Sequence, residues 1–429
     1  MSAVLSERIA QEHAAASGAL PSSVVSAERR ARAVETLRVA GLPTTRDENW
    51  KYANLRALEK NAFRSVATES RGKVALSDLP AAVADYARYV FVDGVFAPEL
   101  SATTDRAGVT VRSGASAHGP QSVSGDERFA LLNEAFAVDG ARVHAPKGAD
   151  CAACVEILFV ATEAAQSAAS YPRLELDVEA NARVGLIERH ISIGNDANFV
   201  NGAVRVAIGP GAHVDHYRLQ QAGAQSTWFD TLTATVEKDA RYCVHFVSVG
   251  ALSARSTSRI ALAGAGAETA IHVVSLADGQ QVHDGFALVE HIAPNTKSEQ
   301  SVRGIAGGRA RVAFNSKVVV REHAKGTDSK QSLRGLLTGK QAEIDVRPQL
   351  EIYTDDVRCN HGATAGKLDD NMLFYLLSRG IEKEIAQQLL KWAFLEDVVS
   401  RIAVPELRKH IEQSLAGQMK ETAALKELL

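Results

Sequence analysis

The chain has 429 residues, a formal net charge of −3 and a charged fraction of 23%. That length suffices for two or three domains and one large core, and the balanced charge gives no ground for a nucleic-acid partner or an acidic membrane surface. Four cysteines are too few for a disulfide framework and suit a reducing compartment, where thiols are free for metal chemistry.

In chain order, residues 1–65 are rich in Ala, Arg and Glu and predict helix, broken at Pro21 and at Gly41-Leu42-Pro43. The opening MSAVLSERIAQEH is charged early and lacks an apolar h-region, so no signal peptide is expected. No apolar run approaches the ~20 residues of a membrane span, and a cytoplasmic location is expected. Ala27 to Val39 is amphipathic, with Ala33, Val34, Leu37 and Ala40 on its apolar stripe. In PTTRDENWKYANL (residues 43–55), Trp50 and Tyr52 are expected as core anchors. YVFVDGVF predicts a hairpin turning at Asp93-Gly94, and FALLNEAF a short amphipathic helix.

Cys151 and Cys154 form a C-x-x-C, the spacing of a redox pair or half a zinc site. It runs straight into the strand-like VEILFVATE with no second pair following, so buried or incidental thiols are expected. From Val155 to Ile352 short Val/Ile/Leu/Thr runs alternate with Gly, Asn, Asp and Ala turns. Asn181, Gly211, Asp239, Gly266, Gly308 and Lys340 mark a loose repeat with steps of 30, 28, 27, 42 and 32 residues. Regular β units without intervening helices imply a solenoid or a stacked sandwich. Alternation sends His213 and His216 to opposite faces. His245, His272, His283, His291 and His323 are scattered and are expected to be solvated or ladder-stacked, and Cys243 to be a small core residue.

The segment from Ala342 to Ile381 joins a strand-like run to a helix entered through Asp369-Asp370 and ended by Gly380. Between them, Cys359 and His361 share a face if the chain is extended. A thiolate and an imidazole make half of a soft-metal site that wants about four ligands. On chemistry alone, a buried thiol beside a hydrogen-bonded histidine is the simpler reading. HGATAGKL (361–368) is no Walker loop: three residues, not four, separate its glycines, and Leu368 follows the lysine. The tail to Leu429 predicts helices. Their stripes are Met372, Leu373, Leu376 and Leu377; then Ile385, Leu389, Leu390 and Ala393; then Leu407, Ile411 and Leu415, with Pro405 as a start.

The string DDVRCNHGATAGKLDDNMLFYLLSRGI closely resembles the signature closing the core domain of the SufB/SufD family, non-ATPase scaffolds of the SUF iron–sulfur cluster assembly complex. The stretch from Pro43 to Leu55 is similar to that family's N-terminal wording. Few cysteines and a modest length favour the SufD branch. The resemblance implies a right-handed parallel β-helix core over 151–365, between a mostly helical N-terminal domain (1–150) and a C-terminal helical domain (366–429). It implies a non-catalytic scaffold in which His361, and with it Cys359, helps to hold a nascent Fe–S cluster at an interface with a SufB-like paralogue; the chain alone can form a homodimer. It further implies that the C-terminal helices dock a SufC-like ABC-type ATPase, for which Trp392, Phe394 and Leu395 are candidate anchors. The alternative is a β-solenoid enzyme acting on polysaccharide. It would need convergent carboxylates, and the tight acidic pairs, Asp355-Asp356 and Asp369-Asp370, lie at the domain end.

Overall fold

A computed structural model describes residues 2–60, 63–65, 71–104, 106–114, 125–163, 168–194 and 197–419. Two sheets, of eleven and ten strands, make up its centre. From Arg173 onward successive strands enter alternate sheets, and from Phe199 to Leu337 each pairs in parallel with the strand two before it and the strand two after. His213–Gln221 thus lies between Arg183–Ser192 and Arg241–Val249, while Thr227–Val236 lies between Phe199–Ile208 and Ser253–Leu262. A chain that coils in this way with only tight turns between strands is a parallel β-helix, as the family resemblance implied. Strand alternation sends one side chain in two inward, and the interior packs as one apolar cluster that includes Leu176, Val206, Val236, Ile260 and Leu333.

The turns explain the irregular repeat. Asn181, Gly211, Asp239, Gly266, Asn295 and Gly326 all have φ between 54° and 73°. They stack in one column, each amide donating to a carbonyl of the next turn, as from Gly266 to Pro294 and from Asn295 to Lys325. This left-handed region favours Gly and Asn or Asp, which is why those residues recur. Gly308 and Lys340 belong to the opposite edge, where the chain passes from the ten-stranded sheet to the eleven-stranded one. The expected step of 42 residues therefore mixed two columns. With Asn295 in place the spacing is 27–31 residues throughout.

At the N-terminal side, helix Arg128–Phe136 lies on the eleven-stranded sheet, Ala27–Ala40 packs over that helix, and Ser2–Ala16 packs on Ala27–Ala40. Trp50 is buried as expected, stacked on Phe129 at 5.1 Å with the Arg255 guanidinium 4.3 Å from its ring. Tyr52 instead stands half-exposed in a cleft. The Arg128–Phe136 helix is not amphipathic in its setting: Phe129 through Phe136 are all buried, because it is sandwiched between the Ala27–Ala40 helix and the sheet. Ala87–Val92 turns back through Asp93 and Gly94 to Val95–Phe96, and it also joins the ten-stranded sheet beside Asp150–Ala161. Cys151 and Cys154 are not free thiols. They are joined in a disulfide where the register of Asp150–Ala161 shifts, and both are buried in the main core.

The C-terminal helices flank the solenoid. Asp369 caps Asp370–Ser378 by accepting from the amides of Asn371 and Met372. Lys383–Val399 and Pro405–Gln418, the latter with Pro at its first position, lie on the outer face of the ten-stranded sheet. Leu407, Ile411 and Leu415 are buried as predicted. On the longer helix the buried face is Ala386, Gln388, Leu395, Val398 and Val399 rather than the expected Ile385–Ala393 stripe, because packing on the sheet chose a neighbouring face. The helix expectation beyond Met419 lies outside the described residues.

Candidate functional site

Among the described residues the solenoid ends on two strands with no partner beyond them: Glu343–Ile352 pairs with Arg311–Val320, and Val357–Gly366 with Thr327–Leu337. Register places Cys359 beside Ser329 and His361 beside Gln331. Ser329 and Gln331 are buried in the solenoid interior, so Cys359 and His361 both stand on the inner face. The same-face reading of the sequence holds, for the reason given there. Since no further turn covers this rung, Cys359 is half-buried and His361 exposed. Val346, Leu350 and Val357 likewise remain half-buried against the core. The end of the solenoid is an open cross-section of its own interior.

The floor beneath the pair is polar. Under Cys359, Ser298 donates to the Ser329 hydroxyl at 2.9 Å, and the His291 ring lies 2.9 Å from Ser298. Under His361, Gln331 Nε2 donates to the Ser316 hydroxyl at 2.6 Å, which donates to Gln300 Oε1 at 2.5 Å. An apolar interior thus becomes hydroxyl- and amide-lined as it approaches its open end. Partial burial pushes the Cys359 thiol up, and the Asp328 carboxylate adds to that shift. A thiol and an imidazole on one face supply two donors of the kind iron and zinc accept.

HGATAGKL runs through the terminal strand as far as Gly366, in extended rather than loop conformation, so no phosphate cradle exists there. Of the candidate docking anchors, Leu395 is fully buried on the sheet, and Trp392 and Phe394 pack half-buried beside it. Exposed large apolar side chains gather instead on the short Asp370–Ser378 helix, where Met372, Phe374, Tyr375 and Leu377 are all open to solvent; Ile352 and Tyr353 are exposed where Glu343–Ile352 ends, and Val39, Leu76 and Ile292 elsewhere. His213 is exposed and His216 buried, as alternation required. Of the scattered histidines, His323 is exposed and His245 stacks on its register neighbour His272, in line with the expectation, whereas His283 and His291 are buried in hydrogen bonds. Cys243 is buried but lies outside the apolar interior, 3.4 Å from His245 Nε2. No sequence spacing announced that second group of donors, because His272 joins it from the next turn.

These features define a parallel β-helix whose open end presents a cysteine and a histidine side by side on its inner face. Residues 159–394 match the family model described as SUF system FeS cluster assembly, SufBD core domain. The chain is 30% identical over 380 residues to the iron-sulfur cluster assembly protein SufD of Escherichia coli, covering 88% of this chain and 89% of that one. It is 28% identical over 425 residues to a SufBD family protein of Synechocystis (95% and 93% covered) and 23% identical over 419 residues to the chloroplastic protein ABCI7 of Arabidopsis thaliana (93% and 87%). The chain belongs to the SufB/SufD family of the SUF iron–sulfur cluster assembly system, and its likeness is to SufD.

Proposed function

We propose that this chain is the SufD-type scaffold subunit of a SUF complex, holding half of the site on which a nascent Fe–S cluster is built. The carrying observation is the placement of Cys359 and His361 together on the inner face of an uncovered last rung. The cluster is cargo, and its remaining ligands come from a SufB-like paralogue that closes the same end. Two features support pairing there. The outer edges of Glu343–Ile352 and Val357–Gly366 carry unpaired backbone donors and acceptors, and the half-buried Val346, Leu350 and Val357 lack a cover. A second copy of this chain meets the same requirements when the paralogue is absent.

The chain carries no nucleotide motif, so ATP acts through a partner, a SufC-like ATPase on the C-terminal helical region. The exposed Met372, Phe374 and Tyr375 support docking on the short helix, which follows the terminal strand after three residues. A push on that helix reaches Cys359 and His361 over a short covalent path. We place the work in the cytoplasm; no described helix is long and apolar enough to cross a membrane. The polysaccharide reading loses its acids, since the Asp369 carboxylate is engaged as a helix cap and Asp355-Asp356 occupy the bend before the last strand.

His361→Ala tests the proposal in the reconstituted complex. Cluster assembly should fall sharply while folding and subunit pairing persist, because the ring is exposed. Cys359→Ser should act in the same direction but less, its sulfur being half-buried. Wild-type assembly by His361→Ala would remove the metal role.

A further inference from the structure

Cys243 and His245 lie two apart on Arg241–Val249, and His272 on Glu268–Ala277 is the direct register neighbour of His245. All three face outward from the solenoid, yet they are buried beneath the C-terminal helices, with exposures of 3%, 5% and 6%. The two imidazoles stack with centroids 4.8 Å apart. One donor atom from each residue lies within 4.8 Å of the other two. Around a four-coordinate ion with bonds of about 2.0–2.3 Å, donors sit roughly 3.5 Å apart. The separation of Cys243 Sγ from His245 Nε2, 3.4 Å, already matches that spacing.

A second observation points to a ligand. His245 turns its Nε2 toward Cys243 Sγ, and His272 Nδ1 is buried without a hydrogen-bond partner. Buried polar atoms are rarely left in this state, and an apolar pair would pack this face at no such cost. The faces around the cluster carry both signs: Arg241 and Asp215 on the sheet, Glu299 on the next turn, and Arg401 and Asp397 from the helical region. Arg401 is tied to Glu299 at 2.5 Å, which offsets its charge.

Access exists. Ser301, the register neighbour of His272, lines a cleft of about 750 Å³ between the sheet and the Lys383–Val399 helix, together with Glu299, Lys330 and Arg401. His361 lines the same cleft near the open end.

We propose that Cys243, His245 and His272 form a binding site for a borderline-soft transition-metal cation of the Zn²⁺, Fe²⁺ or Cu⁺ class. On binding, the Cys243 thiol releases its proton to solvent and coordinates as thiolate, and the two imidazoles bind through lone pairs. This site is separate from Cys359 and His361 and stands whether or not those residues hold a cluster.

Cobalt(II) is the probe, added to the intact purified chain. The expected result is a near-ultraviolet sulfur-to-cobalt charge-transfer band with visible d–d bands. Cys243→Ser should abolish the charge-transfer band. His272→Ala should weaken binding by more than about 100-fold, above the ~10–100-fold typical of changes around a ligand set. Cys359→Ser and His361→Ala should leave the band unchanged. As a check independent of absorption, Zn²⁺ should raise the melting temperature of the wild type and of Cys359→Ser but not of Cys243→Ser. No band in the wild type, or a band that survives Cys243→Ser and disappears in Cys359→Ser, overturns the site. So does equal Zn²⁺ stabilisation of all three proteins.

Discussion

Phe374 offers the sharpest handle on partner docking. It is 72% exposed on a helix whose Met372 and Tyr375 are also open to solvent. An aromatic side chain presents roughly 150–250 Å², so about 145 Å² of Phe374 remains to be covered. At about 25 cal/mol per Å², covering it is worth roughly 3.6 kcal/mol. Only part of that survives as affinity once ordering and desolvation are subtracted. Phe374→Asp should therefore weaken ATPase binding by at least about 2 kcal/mol, or ~30-fold. A carboxylate trapped in the interface would push the loss further. The melting temperature should not move, since the ring contributes no buried contact to the fold. Titration calorimetry of the variant against the ATPase and, separately, against the paralogue reads both effects. Undiminished ATPase binding would refute the docking surface, and loss of the paralogue alone would assign this helix to the other interface. A point substitution is preferable to deleting Glu382–Leu429. That deletion would strip the cover from Tyr217, Leu219, Val247 and Val274 and expose a sheet face built to be buried.

Burial lowers His245 to about 3 and His272, His283 and His291 to about 4, against an ordinary 6.5. Their stability contribution is complete above pH 6.5 and is lost as pH falls toward 4, because the unfolded chain takes up protons that the folded chain refuses. Each such histidine contributes a slope of up to ~1.4 kcal/mol per pH unit, so urea midpoints should drop between pH 7 and pH 5; a flat profile would contradict this burial. Replacing Cys151 and Cys154 together by alanine should cost roughly 1–3 kcal/mol through lost core packing and the lost crosslink. Cluster yield should be unchanged, and a marked fall in bound iron would give the pair a functional role.

Strand alternation alone put Cys359 and His361 on one face, and the Asp369 cap, the Pro405 start and the Asp93-Gly94 turn were equally legible, because each depends on local backbone geometry. Regular turn residues narrowed the core to a solenoid or a stacked sandwich, and the family wording supplied the β-helix. Other features depend on which residues meet across turns, and no local pattern carries that. Gly308 and Asn295 look alike in sequence, yet they sit on opposite edges of the coil. The buried face of Lys383–Val399 was chosen by the sheet beneath it, and Leu395 became core instead of anchor. Cys243 read as a small core residue until His272 arrived from the next turn to complete a donor set. The exposure of His361 follows from one tertiary fact: its rung is the last, and inward-facing residues with nothing stacked above them become surface.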